Sequence, residues 1–363
     1  VTGWVALMCA AGWLIGWLIG WSKRLPASDG ADAVSVTVIV PARNEAERIG
    51  PLLATLASAG IDVIVVDDGS TDATAALAAA AGATVIGVER ARGWTGKSWA
   101  CWSGATAARG DVLVFLDADT VATPSAIRQL ARRAAASGGL VSVQPHHRIA
   151  RWHEYFSALP NLVAVMGAGT GRVPRGSRWR GPAAFGMAMA IPRRIYFDVG
   201  GHSVRPSAVI DDLALAATVH EAGAPVETWC GGADISVRMY AEGVGQLVRG
   251  WTKNLVAGAR SIPILRTLAV TLWIATLAQS CVAMLTSLAS GHVSAVATVV
   301  YLAFAVQASI LAARVGSFGI GTLIALPVLT AGFMALFLAS AVGSVLRRSV
   351  SWRGRAVEVG AMR

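Results

Sequence analysis

The chain has 363 residues, a mean hydropathy of +0.57 and only 14% charged side chains, which argues against a wholly soluble protein. A net charge of +10 marks, in a membrane protein, cytoplasmic loops and contact with anionic lipid. Zinc spacing, a basic nucleic-acid helix and RNA-binding aromatic signatures are missing, so no nucleic acid is expected as partner. Cys9, Cys101, Cys230 and Cys281 form no CxxC pair, which excludes a disulfide framework and fits a reducing compartment.

Residues 4–21 carry no charge and have about the minimum length for a spanning helix. Lys23 and Arg24 follow at once, so the positive-inside rule puts the next segment in the cytoplasm. Residues 1–22 therefore read as an uncleaved transmembrane anchor, and 25–33 as a linker. From Val34 the pattern changes to alternating strands and helices. Strands are predicted at Val36–Val40, Val63–Val66, Thr84–Val88 and Val112–Leu116. Between them run helices at Glu45–Ser58, from Thr71 to Gly82, and at Lys97–Ala108. Such alternation predicts an α/β fold with a mostly parallel sheet covered by helices on both faces.

Ligands in such sheets bind beyond the carboxyl ends of the strands. Arg43-Asn44-Glu45, Asp67-Asp68 and Asp117-Ala118-Asp119 all fall there. Asp117 and Asp119 are two apart, so in extended backbone they point the same way. Two converging carboxylates are costly unless a cation lies between them, and hard oxygen ligands suit Mg²⁺ or Mn²⁺. The bland alternative is a solvated acid pair before a helix capped by Thr120 or Thr123.

Further on, Arg151–Val165 reads as helical, and 171–181 as a loop rich in Gly and Arg, with Arg172, Arg175, Arg178 and Arg180. His146-His147 would point to opposite faces of a strand, which makes joint metal ligation awkward. Met187 and Met189 read as core. Asp211-Asp212 opens a helix over Leu213–Ala222, as helix cap or as catalytic acids. Residues 242–260 form a basic amphipathic helix suited to a membrane surface. Three apolar stretches follow, at about 263–289, 293–313 and 318–346, and then a basic tail over 347–363. Three crossings would leave that tail outside, against the positive-inside rule. The glycines at 316, 319 and 321 and Pro327 make the last stretch the one expected to be broken or re-entrant.

Several runs resemble inverting glycosyltransferases of family two, with a GT-A (Rossmann-like) catalytic domain flanked by transmembrane helices. They are Val38-Ile39-Val40-Pro41-Ala42-Arg43-Asn44-Glu45, Val65-Val66-Asp67-Asp68-Gly69-Ser70, Leu116-Asp117-Ala118-Asp119 and Asp211-Asp212-Leu213. Gly93-Trp94-Thr95-Gly96-Lys97-Ser98 and Arg238-Met239-Tyr240 look like the membrane-bound branch that glycosylates lipids and carotenoids, the diaponeurosporenoate type. The resemblance implies a catalytic domain over 34–241 and a C-terminal membrane region over 262–346. It implies a UDP-sugar donor, a lipid acceptor, and a multi-pass plasma-membrane protein with its catalytic domain in the cytoplasm. Pro41, Arg43, Glu45, Asp67, Asp68, Lys97 and Asp117 would bind the donor, and Asp119 with Asp117 the metal. Asp212 or Asp211 would be the general base. Gln246, Arg249 and Trp251 are similar to the QxxRW motif, with Gly250 inserted before the Trp. On a helix that insertion turns Trp251 by about 100°. A processive polysaccharide synthase and a non-catalytic scaffold are the competing readings.

Overall fold

The computed structural model describes residues 3–26, 34–346 apart from 58, 90, 175 and 209, and the segments 349–352 and 355–358. Most of the expected linker, Arg175, Val209 and most of the basic tail lie outside the described residues.

The chain opens with α1 (Gly3–Gly20). The α/β unit then builds β1 (Val36–Ala42), α2 (Gly50–Leu56), β2 (Asp62–Asp67), α3 (Thr74–Ala80), β3 (Thr84–Gly87), α4 (Gly96–Ala107) and β4 (Val112–Leu116). It continues through β5 (Thr120–Ala122), α5 (Pro124–Ser137), β6 (Leu140–Gln144), β7 (His146–His147), α6 (Ala158–Ala168), β8 (Gly171–Arg172) and β9 (Ala188–Pro192). It ends with α7 (Arg193–Asp198), α8 (Asp211–Glu221), β10 (Val226–Cys230) and β11 (Ile235–Val237). After it come α9 (Val244–Arg260), α10 (Ile264–Ala289), α11 (Ala295–Val315), α12 (Gly319–Leu346) and a hairpin of β12 (Ser349–Trp352) and β13 (Arg355–Glu358).

The main sheet has the order β3-β2-β1-β4-β9-β6-β10-β8. β3, β2, β1 and β4 are parallel, as the sequence predicts. β9 runs antiparallel to both β4 and β6, and β8 antiparallel to β10. Alternate residues of the strands feed two cores. Val38, Val40 and Val114 pack under α2 and α5, while Ile39, Leu113 and Phe115 pack under α4 and α8. Strand order reverses between β1 and β4, which opens a crevice at their carboxyl ends.

Two helix boundaries differ from expectation. The helix expected from Glu45 begins at Gly50, because Pro51 sits in its first turn and residues before it make only a tight turn through Glu45 O. The segment expected as one helix from Arg151 is a 3₁₀ helix (Trp152–Ser157) followed by α6. The break in the last apolar stretch is also absent. α12 runs unbroken through Pro327, since in apolar surroundings no water competes for the remaining ladder bonds. α12 stays against the α/β unit and α9 along much of its length. A Cβ on Gly321 would strike Tyr155, and one on Gly332 would strike Phe156. Ser340 Oγ donates to Thr252 O of α9 at 2.7 Å.

Among the described residues, α10, α11 and α12 are long and apolar enough to cross a membrane, while α1 is shorter. α1 packs on α10 and α11 through glycines spaced by four. A Cβ at Gly12 would come within 2.0 Å of Thr276 Oγ1, and one at Gly16 within 2.4 Å of the Trp273 ring. That close approach admits interhelical hydrogen bonds. Trp13 Nε1 donates to Ala303 O (3.1 Å), Gln307 Nε2 to Trp13 O (2.6 Å) and Trp273 Nε1 to Gln307 Oε1 (2.9 Å). Gly16→Leu is expected to overpack this seam and cost about 1–3 kcal/mol. The check is the thermal midpoint of the detergent-solubilised protein, and an unchanged midpoint would show that α1 is not packed here.

Candidate active site

A small cavity of about 140 Å³ opens at the strand-order reversal, lined by Pro41, Glu45, Asp68, Lys97, Asp117 and Asp119 among others. The loop after β1 is pinned to the turn after β2. Asn44, at φ 52, accepts Thr71 N on its Oδ1 at 2.8 Å, and Glu45 N donates to Thr74 Oγ1 at 2.8 Å. Arg43 Nη1 donates to Asp68 O at 2.7 Å and lies 3.6 Å from the Asp68 carboxylate. Asp68 is thus fixed at the cavity wall. Asp67 instead accepts Ser70 N at 3.2 Å and lines neither cavity, so it holds the turn.

Asp117 and Asp119 follow β4 as expected, and both line the crevice. The helix behind them is capped by Thr123, whose Oγ1 accepts Ala126 N at 3.3 Å, so the acids are not spent as caps. Lys97 Nζ lies 2.7 Å from Asp117 Oδ1 and 3.8 Å from Asp211 Oδ2. Lys97 is placed by the first turn of α4, which Thr95 caps through Ser98 N. Burial opposes its charge, yet Asp117 and Asp211 hold it well above the usual lysine range. Burial, and then the Asp117 charge, push the Asp119 carboxyl up to about 6. Among the described residues Asp119 has no cation within salt-bridge distance. Two hard oxygen donors, one lacking a counter-charge, fit a divalent cation.

Asp211 and Asp212 open α8 and split in role. Asp211 faces Lys97 and His202. Asp212 Oδ2 accepts Gly186 N at 2.6 Å, and its Oδ1 accepts Leu213 N at 2.9 Å. Gly186 is required for that approach, because a Cβ there would stand 3.0 Å from Asp212 Oδ2. Burial, then the neighbouring Asp211 charge, push Asp212 up to about 6. A carboxylate that titrates near neutrality suits a general base.

Both acids also line a second cavity of about 430 Å³, which shares Asp68, Lys97, Asp117 and Asp119 with the first. Away from the acids its wall turns apolar. Val163 and Ala164 of α6, Trp251, Leu255 and Ala259 of α9, and Phe337 of α12 line it. Trp251 Nε1 donates to Ser157 Oγ at 3.0 Å, which keeps its ring in that wall. Gln246 and Arg249 are not brought to either cavity. Gln246 Oε1 accepts Glu242 N at 3.1 Å, and Arg249 is exposed. One turn further along α9, Lys253 and Asn254 do line the cavity. Burial holds Lys253 below the usual lysine range, against the pull of Asp211. Sequence reading gave Lys253 no role at the site, although Gly250-Trp251-Thr252-Lys253-Asn254 also resembles the lipid-glycosylating branch. Gly250 packs against Tyr240, whose ring a Cβ there would meet at 2.3 Å.

The remaining motifs are structural. His147 is buried and bonded to Gln144 (2.7 Å), while His146 meets Ser317 (3.0 Å). Met189 is core, but Met187 lines the large cavity. Arg180 turns inward to the carbonyls of Thr170 and Gly171 at 3.0 Å, whereas Arg172 and Arg178 are exposed.

Residues 37–211 match the family model described as glycosyl transferase family 2. The chain is 35% identical over 329 residues to the 4,4'-diaponeurosporenoate glycosyltransferases of Staphylococcus aureus strains MRSA252 and USA300, covering 88% of each chain. A solved mannosyltransferase from Pyrobaculum calidifontis, in complex with GDP-Man and Mn²⁺, superposes with a TM-score of 0.56 at 21% identity. It covers 94% of this chain and 96% of its own, and speaks for the fold. Together with the acids gathered at the β1/β4 crevice, these similarities mean that the chain is a GT-A glycosyltransferase of family 2, close to the carotenoid-glycosylating branch.

Proposed function

We propose that the protein transfers a sugar from a UDP-sugar, with inversion, to a membrane lipid of carotenoid or other isoprenoid type. The observation that carries this reading is the continuity of the two cavities. The polar end holds the acids, and the apolar end is walled by α6, α9 and α12, next to the helices suited to a membrane. The polar end suits the charged part of a donor and the apolar end a hydrocarbon chain. The name of the curated relatives points to a carotenoid acid as acceptor.

Asp68 and the Pro41–Glu45 loop would hold the nucleoside. Asp117 and Asp119 would hold Mg²⁺ or Mn²⁺, which would act as Lewis acid on the diphosphate. Lys97 is a fixed positive charge at the same crevice, aimed at the negative charge that grows on the leaving diphosphate. Asp212 takes the acceptor proton as the acceptor oxygen attacks the anomeric carbon opposite the leaving group, which inverts that centre. The apolar wall keeps water from competing. A catalytic unit on the cytoplasmic side, where nucleotide sugars are made, agrees with Lys23 and Arg24 directly after α1.

The test is turnover by the purified protein in detergent, given a panel of UDP-sugars and GDP-mannose, Mn²⁺ and a total lipid extract. Labelled lipid from one UDP-sugar is expected. Labelling from GDP-mannose alone would overturn the donor. Nucleotide release with no labelled lipid would overturn the acceptor class.

A further inference from the structure

Behind the catalytic acids lies a buried polar chain that the reaction does not use directly. His202 is 4% exposed and Tyr196 is 0% exposed, in the layer between the sheet and α8. The His202 ring packs on Phe115, with centroids 5.4 Å apart. Its Nδ1 lies 2.8 Å from the Tyr196 hydroxyl, and its backbone N–H donates to that same oxygen at 3.3 Å. The hydroxyl oxygen already accepts that N–H, which leaves its own hydrogen free to be donated to Nδ1. In that arrangement the ring proton sits on Nε2. His202 Nε2 lies 4.0 Å from Asp211 Oδ2, and both atoms are buried without a hydrogen bond. An orphaned donor facing an orphaned acceptor is costly, and catalytic hydrogen bonds left long without substrate tighten when it binds.

We propose that His202 is a positioning residue: its Nε2–H, aimed by Tyr196, steadies the Asp211 carboxylate, which in turn holds Lys97 in place beside Asp117. The chain Tyr196–His202–Asp211–Lys97–Asp117 then fixes one cation at the donor end of the crevice. Asp212, bonded to Gly186 and Leu213, stays free of it. The proposal rests on the transferase reading for its kinetic arm only. Neutral His202 agrees with it, since burial pushes this imidazole down to about 4. A metal is the competing occupant, because ligand atoms of Cys101, His202 and Asp211 lie within 4.8 Å of one another. Lys97 disfavours it, since its ammonium shares Asp211 Oδ2 at 3.8 Å. A tautomer with hydrogen on Nε2 also leaves that nitrogen no lone pair to give.

Two substitutions separate positioning from packing. His202→Gln removes the ring but keeps an N–H donor near the Nε2 position. His202→Phe keeps the ring against Phe115 and Tyr196 but removes the donor. With the UDP-sugar panel, kcat is expected to fall about tenfold in His202→Phe and to stay within about threefold in His202→Gln, with KM for the donor unchanged in both. The reverse order, with Phe active and Gln impaired, would overturn the proposal in favour of packing alone. A second readout needs no turnover. NMR of protein carrying ¹⁵N-labelled histidine, assigned by loss of a signal in His202→Gln, is expected to show His202 protonated on Nε2, with mixed tautomers in Tyr196→Phe. Protonation on Nδ1 in the wild type would overturn the proposal, whatever the donor. So would one zinc per purified chain that is lost in Cys101→Ser.

Discussion

Asp212→Asn is expected to lower sugar transfer about a thousandfold while leaving nucleotide-sugar binding within about threefold. The amide keeps the size of the side chain and can still accept Gly186 N through its oxygen. What it loses is the ability to take a proton, and the bond from Leu213 N, which an amide nitrogen cannot accept. Asp211→Asn should be milder, because Asp211 is tied to Lys97 at the donor end and does not take the acceptor proton. The pH dependence gives the same assignment a second reading. Asp212 is pushed up to about 6 by burial, and it works only when ionised. Turnover should therefore be full above neutrality and fall about tenfold per unit as pH drops well below 6. In Asp212→Asn the residual rate should lack that acid limb. If Asp211→Asn proves the more damaging variant and keeps no acid limb, Asp211 is the base instead.

Asp119→Ala is expected to abolish metal-dependent turnover, with a loss of a hundredfold or more. It should also remove the rise in thermal midpoint that Mn²⁺ gives the wild type. The protein without metal should not lose stability, because the substitution deletes a half-buried carboxylate, pushed up to about 6 by desolvation, with no cation within salt-bridge distance among the described residues. That sign separates a ligand from a structural acid. A drop in the metal-free midpoint with the Mn²⁺ response intact would mean that Asp119 supports the loop and binds no ion. The Asp117 side of the pair is less clean, since Lys97 already neutralises one of its oxygens at 2.7 Å.

The parallel half of the sheet was legible because each strand is a short apolar run ending in a turn or acid motif, and the sheet buries those runs on both faces. The same logic placed Glu45, Asp68, Asp117 and Asp119 around one crevice, since strand ends converge in such a sheet. Legibility failed where one residue decides geometry. Pro51 delays the start of α2, and the cavity meets α9 one turn beyond Arg249, so that Lys253 lines it and Arg249 is left exposed. The antiparallel β9 could not be separated from a loop, because Ala183–Ile191 is small and apolar without a period. His202 was invisible for another reason. Its role depends on Tyr196 and Asp211, which meet it only in the fold.

The wall that α9 and α12 share around the large cavity has a kinetic corollary. An acceptor that reaches Asp212 along that wall need not leave the bilayer at any step. Its effective concentration is then a mole fraction in the plane of the membrane, and its search is two-dimensional. The donor arrives from water and is counted in bulk molarity. On the proposed reading the enzyme reads two concentrations in different phases, and inert lipid competes with the acceptor simply by taking up area.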